Sequence, residues 1–102
     1  MTEYLRMLQD LKNLCKTGEE SILECDGLFV SIGRSPNTGL VQGQLELDGA
    51  GYIVADESTR TSLPGVFAAG DVRTKELRQV ITAAADGASA AHYAEAYLAS
   101  LS

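Results

Sequence analysis

The sequence is poor in the residues that build metal and redox centres. Its 102 residues include no tryptophan, one histidine and two cysteines. Cys15 and Cys25 are too far apart for a CxxC redox pair, which needs both thiols within one helical turn. His92 lies far along the chain, so the spacing does not support a metal site. We expect Cys25 to be a small core residue; a Cys15–Cys25 disulfide across a hairpin is the less favoured alternative in a reducing cytosol.

The sequence also lacks an excess of positive charge and a long apolar run. The net charge of −6 argues against nucleic acid or an anionic membrane as a partner. No apolar run approaches the roughly 18 residues of a membrane span. The first residues, MTEYLRMLQD, lack the basic and apolar regions of a signal peptide. We therefore expect a cytoplasmic protein.

The N-terminal segment admits two interpretations. Leu5, Leu8 and Leu11 recur at helical spacing behind Thr2, which predicts a helix over residues 2–14. Alternatively, residues 11–15 form a strand that KTGEE turns into a second strand over residues 21–24. The Thr-Gly pair favours this hairpin for the later part of the segment.

The middle of the chain predicts short strands. CDGLFVSIG holds a nearly continuous apolar run over residues 28–32 that stops at Gly33, which is typical of a strand covered on both faces. RSPNTG follows as a loop. QLELDGAGYIVAD alternates and turns at DGAG, which predicts a hairpin from Leu45 to Val54. After a connecting loop, STRTSLPG, the run VFAAG predicts a second buried strand that is parallel to its neighbours and ends at Gly70.

The last thirty residues predict one helix with a small-residue face. The residues of this face, at spacings of three, four and seven, are Ile81, Ala84, Ala88, Ala91 and Leu98. Gly87 inside a helix costs about 1 kcal/mol relative to alanine, so we expect a close backbone contact there. Tyr93 and Tyr97 are expected to pack against strands, and His92 to be a surface or packing residue.

Asp71 follows Gly70 at the end of the VFAAG run, with no obvious salt-bridge partner beside it. In open α/β sheets ligands bind at the carboxyl ends of strands, where a carboxylate can accept hydrogen bonds from hydroxyl groups. Thr74 is the conventional cap, and it would start the helix at Lys75. A start near Arg78 would instead put Leu77 at the cap and leave the first N–H groups to water or a ligand. A plain turn is the alternative to a ligand contact.

Longer stretches carry a family resemblance. TSLPGVFAAGDV, followed by RQVITAAADGASAAHYAEAYL, closely resembles the C-terminal portion of bacterial thioredoxin reductases, members of the FAD- and NAD(P)-dependent pyridine nucleotide-disulfide oxidoreductases. The upstream CDGLFVSIGRSPNTGLVQGQLELDGAGYIVADESTRTS resembles the segment that precedes it in that family. The resemblance runs from Lys12 or Thr17 to Leu101, whereas residues 1–11 match poorly.

The resemblance implies a set of FAD-contacting residues. Asp71 would accept hydrogen bonds from the ribityl chain, and Gly70 would allow its close approach. Arg78, Gln79 and Val80 correspond to the family's Arg-Gln-Ala triplet and would lie beside the flavin ring, where the start of the helix would stabilise negative charge on the reduced flavin. Valine in place of alanine adds bulk there. The alternative for Arg78 is a solvated surface charge.

The resemblance also implies the domain organisation. VSIGRSPNT would be the crossover from the NADPH domain to the FAD domain, with Gly33 and Pro36 setting its path. Residues 1–25 would then be a remnant of the NADPH domain's last strands, and residues 26–102 the C-terminal part of the FAD-binding domain. The predicted fold class is α/β: the C-terminal half of a FAD-binding Rossmann-like domain, with short strands, a hairpin and one long C-terminal helix.

The sequence lacks three motifs that the full enzyme needs. It contains neither of the two GxGxxG fingerprints, for FAD and for NADPH, and no CxxC. The full enzyme would pass electrons from NADPH through FAD to the disulfide of thioredoxin, so this portion is expected to be inactive alone, and whether it binds FAD alone stays open. The alternative is a non-catalytic, self-associating module without cofactor, because a half-domain exposes strand edges and apolar surface. A chain supplying the missing FAD- and NADPH-domain portion would join the two hypotheses.

Overall fold

The computed structural model describes residues 16–20, 22 and 24–102. The chain divides into two compact units, Met1–Ile32 and Gly33–Ser102. The helix predicted over residues 2–14 and the strand predicted over residues 11–15 lie outside the described residues. In the part of the chain that is described, no helix is long and apolar enough to cross a bilayer.

The first unit departs from the predicted strands. Lys16 and Thr17 are helical, and the chain turns at Gly18, whose φ is +68°. Ile22 and Glu24 are not in a strand, so the strand predicted over residues 21–24 is not found at its described positions. Cys25 is exposed and carries a free thiol, so its prediction as a core residue is wrong.

The apolar run over residues 28–32 does not form the predicted buried strand. Its large side chains are exposed, to 97% for Phe29 and 94% for Ile32. No β-bridge is found for this run among the residues described. A doubly covered strand needs neighbouring strands on both edges and packing on both faces, and the described residues of this unit supply neither.

In the second unit, the RSPNTG loop leads into a short 3-10 turn, Gly39–Val41, and then into the predicted hairpin. Leu47 and Ile53 form an antiparallel bridge, and the Asp48 N–H donates to the Tyr52 carbonyl at 2.8 Å. The turn forms because one carboxylate oxygen of Asp48 accepts from the N–H groups of Ala50 and Tyr52, each at 2.9 Å. The predicted hairpin over residues 45–54 is therefore confirmed, although its pairing is an isolated bridge.

A second hairpin lies where the sequence predicted a connecting loop. Arg60 and Phe67 form an antiparallel bridge, and the Ala68 N–H donates to the Thr59 carbonyl at 2.8 Å. The turn closes at Gly65, whose φ is +81°. The VFAAG run is thus one arm of an antiparallel hairpin over residues 59–68, which corrects the expectation of a parallel strand there.

Parallel pairing occurs further along the chain than the second hairpin, where Arg73 forms a bridge with Ile53. The Ile53 N–H donates to the Val72 carbonyl and the Thr74 N–H donates to the Ile53 carbonyl, both at 2.9 Å. This pairing brings the end of the first hairpin against the residues that follow Asp71. The apolar core lies around it; its buried members are Leu45, Ile53, Ala55 and Ala68, with Val41, Leu47 and Val72 packed against them.

Helix α1, Val80–Ser100, confirms the predicted long C-terminal helix but starts later than Thr74 would place it. Thr74 does not cap it, because its hydroxyl instead pairs with Ala55: it accepts from the Ala55 N–H at 3.2 Å and donates to the Ala55 carbonyl at 2.8 Å. Gln79 is the cap, and its N–H donates to the Thr82 hydroxyl at 3.0 Å. The later start near Arg78 is therefore the better of the two predictions, although Leu77 is not the cap.

The face of α1 that packs on the rest of the unit is not the predicted one. The predicted face is exposed, with Ile81 77% and Leu98 64% accessible, and Asp86 is the buried residue of the helix. Among the residues that the structure describes, nothing lies within 4 Å of a Cβ built on Gly87, so the close contact predicted there is not found. Tyr97 lies over Gly65, with its Cε1 atom 2.8 Å from a Cβ built on that glycine. The Tyr93 ring stacks against the Arg60 guanidinium, whose carbon lies 4.3 Å from the ring centroid.

Candidate functional site

The site forms around a tight turn at Gly70–Arg73, between the second hairpin and the parallel bridge. The Arg73 N–H donates to the Gly70 carbonyl at 3.4 Å. Gly70 is buried with a φ of +86°, a conformation that costs any other L-residue about 1–2 kcal/mol. Its Cα faces α1, where the Ala83 Cβ would lie 3.7 Å from an added Cβ. The glycine therefore fixes the path of the chain into Asp71.

Beneath the turn lies a cluster of buried charges centred on Asp86 of α1, whose side chain is 5% exposed. Its carboxylate accepts from Arg73 Nε and Nη2, each at 2.7 Å. Lys75 Nζ and the Gly70 N–H donate to the same carboxylate at 2.8 Å. Arg73 Nη2 also donates to Glu57 Oε1 at 3.1 Å. The buried Asp86 carboxylate thus pairs with two buried cations, and the exposed Glu57 adds a second carboxylate at the surface, which offsets part of the cost of removing the buried charges from water.

The electrostatics of the cluster follow from these contacts. The hydrogen bonds from Arg73 hold the pKa of the Asp86 carboxyl far below its usual range, against the opposing effect of burial, and Lys75 and the Gly70 N–H lower this pKa further. The hydrogen bond to Asp86 raises the pKa of Arg73. Asp86 is therefore a carboxylate at neutral pH despite its burial.

Arg78 lies between the Gly70–Arg73 turn and the first hairpin. Its Nε donates to the Asp71 carbonyl and its Nη2 to the Arg73 carbonyl, each at 3.1 Å. Its guanidinium carbon lies 3.8 Å from the centroid of the Tyr52 ring. A planar guanidinium stacked on an aromatic ring while donating sideways is a geometry that lysine cannot reproduce. Arg78 is thus not a free surface charge.

The Asp71 side chain faces a cleft of about 470 Å³. The cleft is lined by Arg34, Ser35, Pro36, Asn37, Tyr52, Asp71, Val72 and Arg78. The carboxylate is 55% exposed, and its Oδ2 lies 3.9 Å from Arg34 Nη1, at the outer limit of an ion pair. The sequence showed no partner for Asp71; the fold brings Arg34 near it but leaves most of the carboxylate free to accept further hydrogen bonds.

Three of the five residues predicted to contact a cofactor meet at this turn. Asp71 and Arg78 line the cleft, and Gly70 supports it from below. Gln79 and Val80 follow at the start of α1, where Val80 is 88% exposed. Both residues follow Arg78, which lines the cleft, directly in the sequence, but neither of them lines the cleft.

A protein-family model described as pyridine nucleotide-disulphide oxidoreductase matches residues 2–87. The chain belongs to this family. The match begins at residue 2, ahead of Lys12, the earliest point at which the resemblance to thioredoxin reductases was expected to begin.

The chain resembles thioredoxin reductases over most of its length. It is 56% identical over 86 residues to the thioredoxin reductase of Treponema pallidum, which covers 84% of this chain and 28% of the relative. It is also 56% identical over 85 residues to the NADPH-dependent thioredoxin reductase 3 of Arabidopsis thaliana, covering 82% of this chain and 16% of that protein. The chain therefore spans less than a third of the length of these relatives.

Solved structures agree with this assignment. The thioredoxin reductase of Streptococcus pyogenes MGAS5005 superposes with a TM-score of 0.67 at 47% identity, covering 72% of this chain and 24% of that one. The thioredoxin reductase of T. acidophilum superposes with a TM-score of 0.68 at 44% identity, covering 84% of this chain and 28% of that one. The fold is thus that of part of a thioredoxin reductase, with a long helix and few strands in the described residues.

Sequence reasoning missed the charged cluster that holds the turn. Arg73, Lys75 and Asp86 were not singled out, nor was Tyr52 as the ring under Arg78. One signal was available: Asp86 is a lone carboxylate among the small residues of AAADGASAA. A charge in such a setting is paired when it is buried, and Arg73 and Lys75 were the nearest cations upstream apart from Arg78.

Proposed function

We propose that this chain is the C-terminal part of the FAD-binding domain of a thioredoxin reductase-like flavoprotein, with residues 1–25 a remnant of its NADPH domain. The observation that carries the proposal is the Gly70–Arg73 turn, which presents a half-exposed Asp71 carboxylate to a cleft beside the start of α1. The chemistry that bound FAD would supply in the whole enzyme is electron transfer from NADPH to the disulfide of thioredoxin.

The donors and acceptors at the turn suit one portion of FAD, its ribityl chain. A ribityl hydroxyl can donate to the Asp71 carboxylate, since the ion pair that this carboxylate forms with Arg34 is as long as 3.9 Å. Gly70 contributes by fixing the turn, because its N–H is already bonded to Asp86. Tyr52 and Pro36 add apolar lining to the same cleft.

The start of α1 suits an electron-rich ring. A helix N-terminus carries a partial positive charge of about half a unit, and Arg78 precedes it within the same short segment. The backbone of Arg78, Gln79 and Val80 would lie along the flavin, and the exposed Val80 side chain would pack against a neighbouring surface of the whole enzyme. No phosphate-binding GxGxxG is present in the sequence, so another segment would hold the pyrophosphate, and we expect no reductase activity from this chain by itself.

Complementation tests this function. A thioredoxin reductase such as that of Treponema pallidum, with the region matched by this chain removed, would be co-expressed with the chain and purified. We expect the complex to retain yellow FAD with quenched flavin fluorescence and to regain NADPH-dependent disulfide reduction. A parallel titration of the chain alone with FAD asks whether it binds the cofactor without that partner.

Two single substitutions sharpen the test. Asp71→Asn removes the proposed acceptor charge, and we expect flavin retention to fall about tenfold, as for loss of a hydrogen bond to a charged group. Glu76→Gln removes the same charge from an exposed residue five positions away and should have no effect. A colourless complex, or equal flavin content in the two variants, would overturn the proposal.

One observation favours a second function, a self-associating module without cofactor. In the first unit, Leu28, Phe29, Val30 and Ile32 are exposed in a row, and contiguous apolar surface of this kind marks an association site or an aggregation liability. Light scattering on the purified chain separates the two functions, since a monomer that binds FAD would exclude the module and a flavin-free oligomer would support it.

A further inference from the structure

We propose that Asp86 is a positioning residue for Asp71: its carboxylate clamps both ends of the Gly70–Arg73 turn to α1 and so fixes where the Asp71 carboxylate points. The consequence for FAD rests on the proposed function, whereas the consequence for the turn does not.

The Asp86 carboxylate forms hydrogen bonds with the chain on both sides of Asp71. The Gly70 N–H, one residue before Asp71, donates to Asp86 Oδ2 at 2.8 Å. Arg73, two residues after Asp71, donates through Nε and Nη2 at 2.7 Å. Because one small, buried carboxylate accepts from both ends, the backbone of the two intervening residues, Asp71 and Val72, cannot shift without breaking a charge-assisted hydrogen bond.

The clamp is fixed to a rigid element. Asp86 lies within α1, and Ala83, three residues earlier on the same face, packs against Gly70. Arg73 in turn donates from Nη1 to the carbonyls of Thr74 at 2.8 Å and Ala55 at 3.4 Å. The turn is therefore tied to both the helix and the end of the first hairpin through a single ion pair.

The other side of the turn carries a weaker restraint. Arg78 donates to the Asp71 and Arg73 carbonyls at 3.1 Å from a half-exposed position. Those bonds restrain the backbone at Asp71 and Arg73 but not at Gly70. Loss of Asp86 would thus release the N-terminal end of the turn, even with Arg78 in place.

The side chain at position 86 must be a carboxylate for this role. Its oxygens take four donors from three residues. Asparagine has the same shape but one acceptor oxygen, and its NH₂ would face a donor. Glutamate keeps the charge but moves it outward by a methylene. Asp86→Asn is therefore the informative change, and Asp86→Glu is the conservative rescue.

The test is amide and carboxylate NMR on the whole chain without added cofactor. In Asp86→Asn we expect the Gly70 amide signal to move upfield, because its N–H loses a charged acceptor, and the Asp71 amide and side-chain carboxyl signals to move as well. Signals of the first hairpin tip, such as Gly49, should stay in place. Asp86→Glu should restore part of the wild-type positions.

A matched control separates positioning from general destabilisation. Thr38→Val removes the 2.6 Å hydrogen bond from the Thr38 hydroxyl to the Gly51 carbonyl, so it loosens the first hairpin and leaves the cluster intact. We expect it to move hairpin signals and to spare Gly70 and Asp71. Equal Asp71 signals in wild type and Asp86→Asn would overturn the proposal.

Lys75→Met covers the case in which Asp86→Asn does not fold. It removes the Lys75 bond to Oδ2 and retains the Arg73 fork, and we expect smaller shifts at the same two residues. Unchanged Gly70 and Asp71 signals in Lys75→Met would then overturn the proposal.

A second arm adds FAD to the chain, or to its complex with the truncated reductase, and follows flavin fluorescence. Asp86→Asn should weaken binding about tenfold, as for one lost hydrogen bond to a charged group. If wild type binds no FAD in either form, the proposed function fails, while the cofactor-free NMR still decides the role of Asp86.

Discussion

The Arg73 guanidinium lies fork to fork against the Asp86 carboxylate, with Nε–Oδ2 and Nη2–Oδ1 both at 2.7 Å. Both side chains are at least 95% buried. The apolar core of the described residues is built from positions 41–72, whereas the buried residue of α1 is Asp86. Charge is thus one part of the attachment of the helix to its unit, beside the contact of Tyr97 with Gly65, and this part is sensitive to titration.

Acid should destabilise the chain through Asp86. Its pKa is lowered in the folded state, so its contribution to the free energy of unfolding is fully present above the unfolded value of about 3.9 and is lost as the pH falls below it. At pH 7, Asp86→Asn should cost about 3–5 kcal/mol, as for breaking a buried ion pair. Urea unfolding followed by circular dichroism from pH 7 down to about pH 2 measures both effects.

The difference in unfolding free energy between wild type and Asp86→Asn should narrow below about pH 4, because unfolded wild type then takes up a proton at Asp86 that the folded state does not. Glu95→Gln, an exposed change on the same helix, is the control and should leave the acid dependence unaltered. Parallel pH profiles for wild type and Asp86→Asn would contradict the assignment of the acid sensitivity to this cluster.

Two glycine substitutions should act in opposite directions. Gly70→Ala forces a Cβ into a left-handed conformation at φ +86°, which should cost about 1–2 kcal/mol. Gly87→Ala places a methyl in open space on the surface of α1 and should stabilise by about 0.5–1 kcal/mol. Thermal unfolding of the two variants compares them directly. A gain in stability for Gly70→Ala would show that the turn does not need its observed backbone conformation.

The elements that could be predicted from sequence are those held by local contacts. The first hairpin follows from the DGAG turn, where Asp48 bonds the N–H groups two and four residues on. The long helix follows from its alanine-rich sequence, which outweighs the cost of Gly87, and the loop around Pro36 from its turn residues. In each case the deciding interaction lies within a few positions in the chain.

The elements that could not be predicted depend on distant partners. Thr74 looks like a cap, but its hydroxyl bonds to Ala55, nineteen positions away. The run at residues 28–32 has the composition of a buried strand, yet no β-bridge is found for it in the described chain. Asp86 was overlooked because its partners, Arg73 and Lys75, come from the far side of a turn. The family resemblance identified the turn at Asp71 but not what supports it.

The exposed apolar run should drive self-association of the isolated chain. Phe29 is 97% exposed between two other exposed apolar residues, and its burial in a contact would remove a large apolar area from water. We expect light scattering to show oligomers at high protein concentration and Phe29→Lys to shift them toward monomer. Leu101→Lys, at an exposed apolar site at the end of α1, is the matched control. Equal association of the two variants would assign the interface elsewhere.

The stack of Arg78 on Tyr52 should contribute measurable coupling between the turn and the first hairpin. The guanidinium carbon lies 3.8 Å from the ring centroid, and a partly exposed cation–π pair of this kind contributes about 0.5–1 kcal/mol. A double-mutant cycle of Arg78→Met and Tyr52→Leu, measured by urea unfolding, isolates this term. Arg78→Lys should recover little of it, because an ammonium lacks the planar face that stacks on the ring. The Arg60–Tyr93 pair, with the guanidinium carbon 4.3 Å from the ring centroid, offers a second cycle at a separate cation–π pair. Since Arg78 also holds the Asp71 carbonyl, coupling near zero in the first cycle but normal in the second would mean that Arg78 acts on the turn through its hydrogen bonds alone.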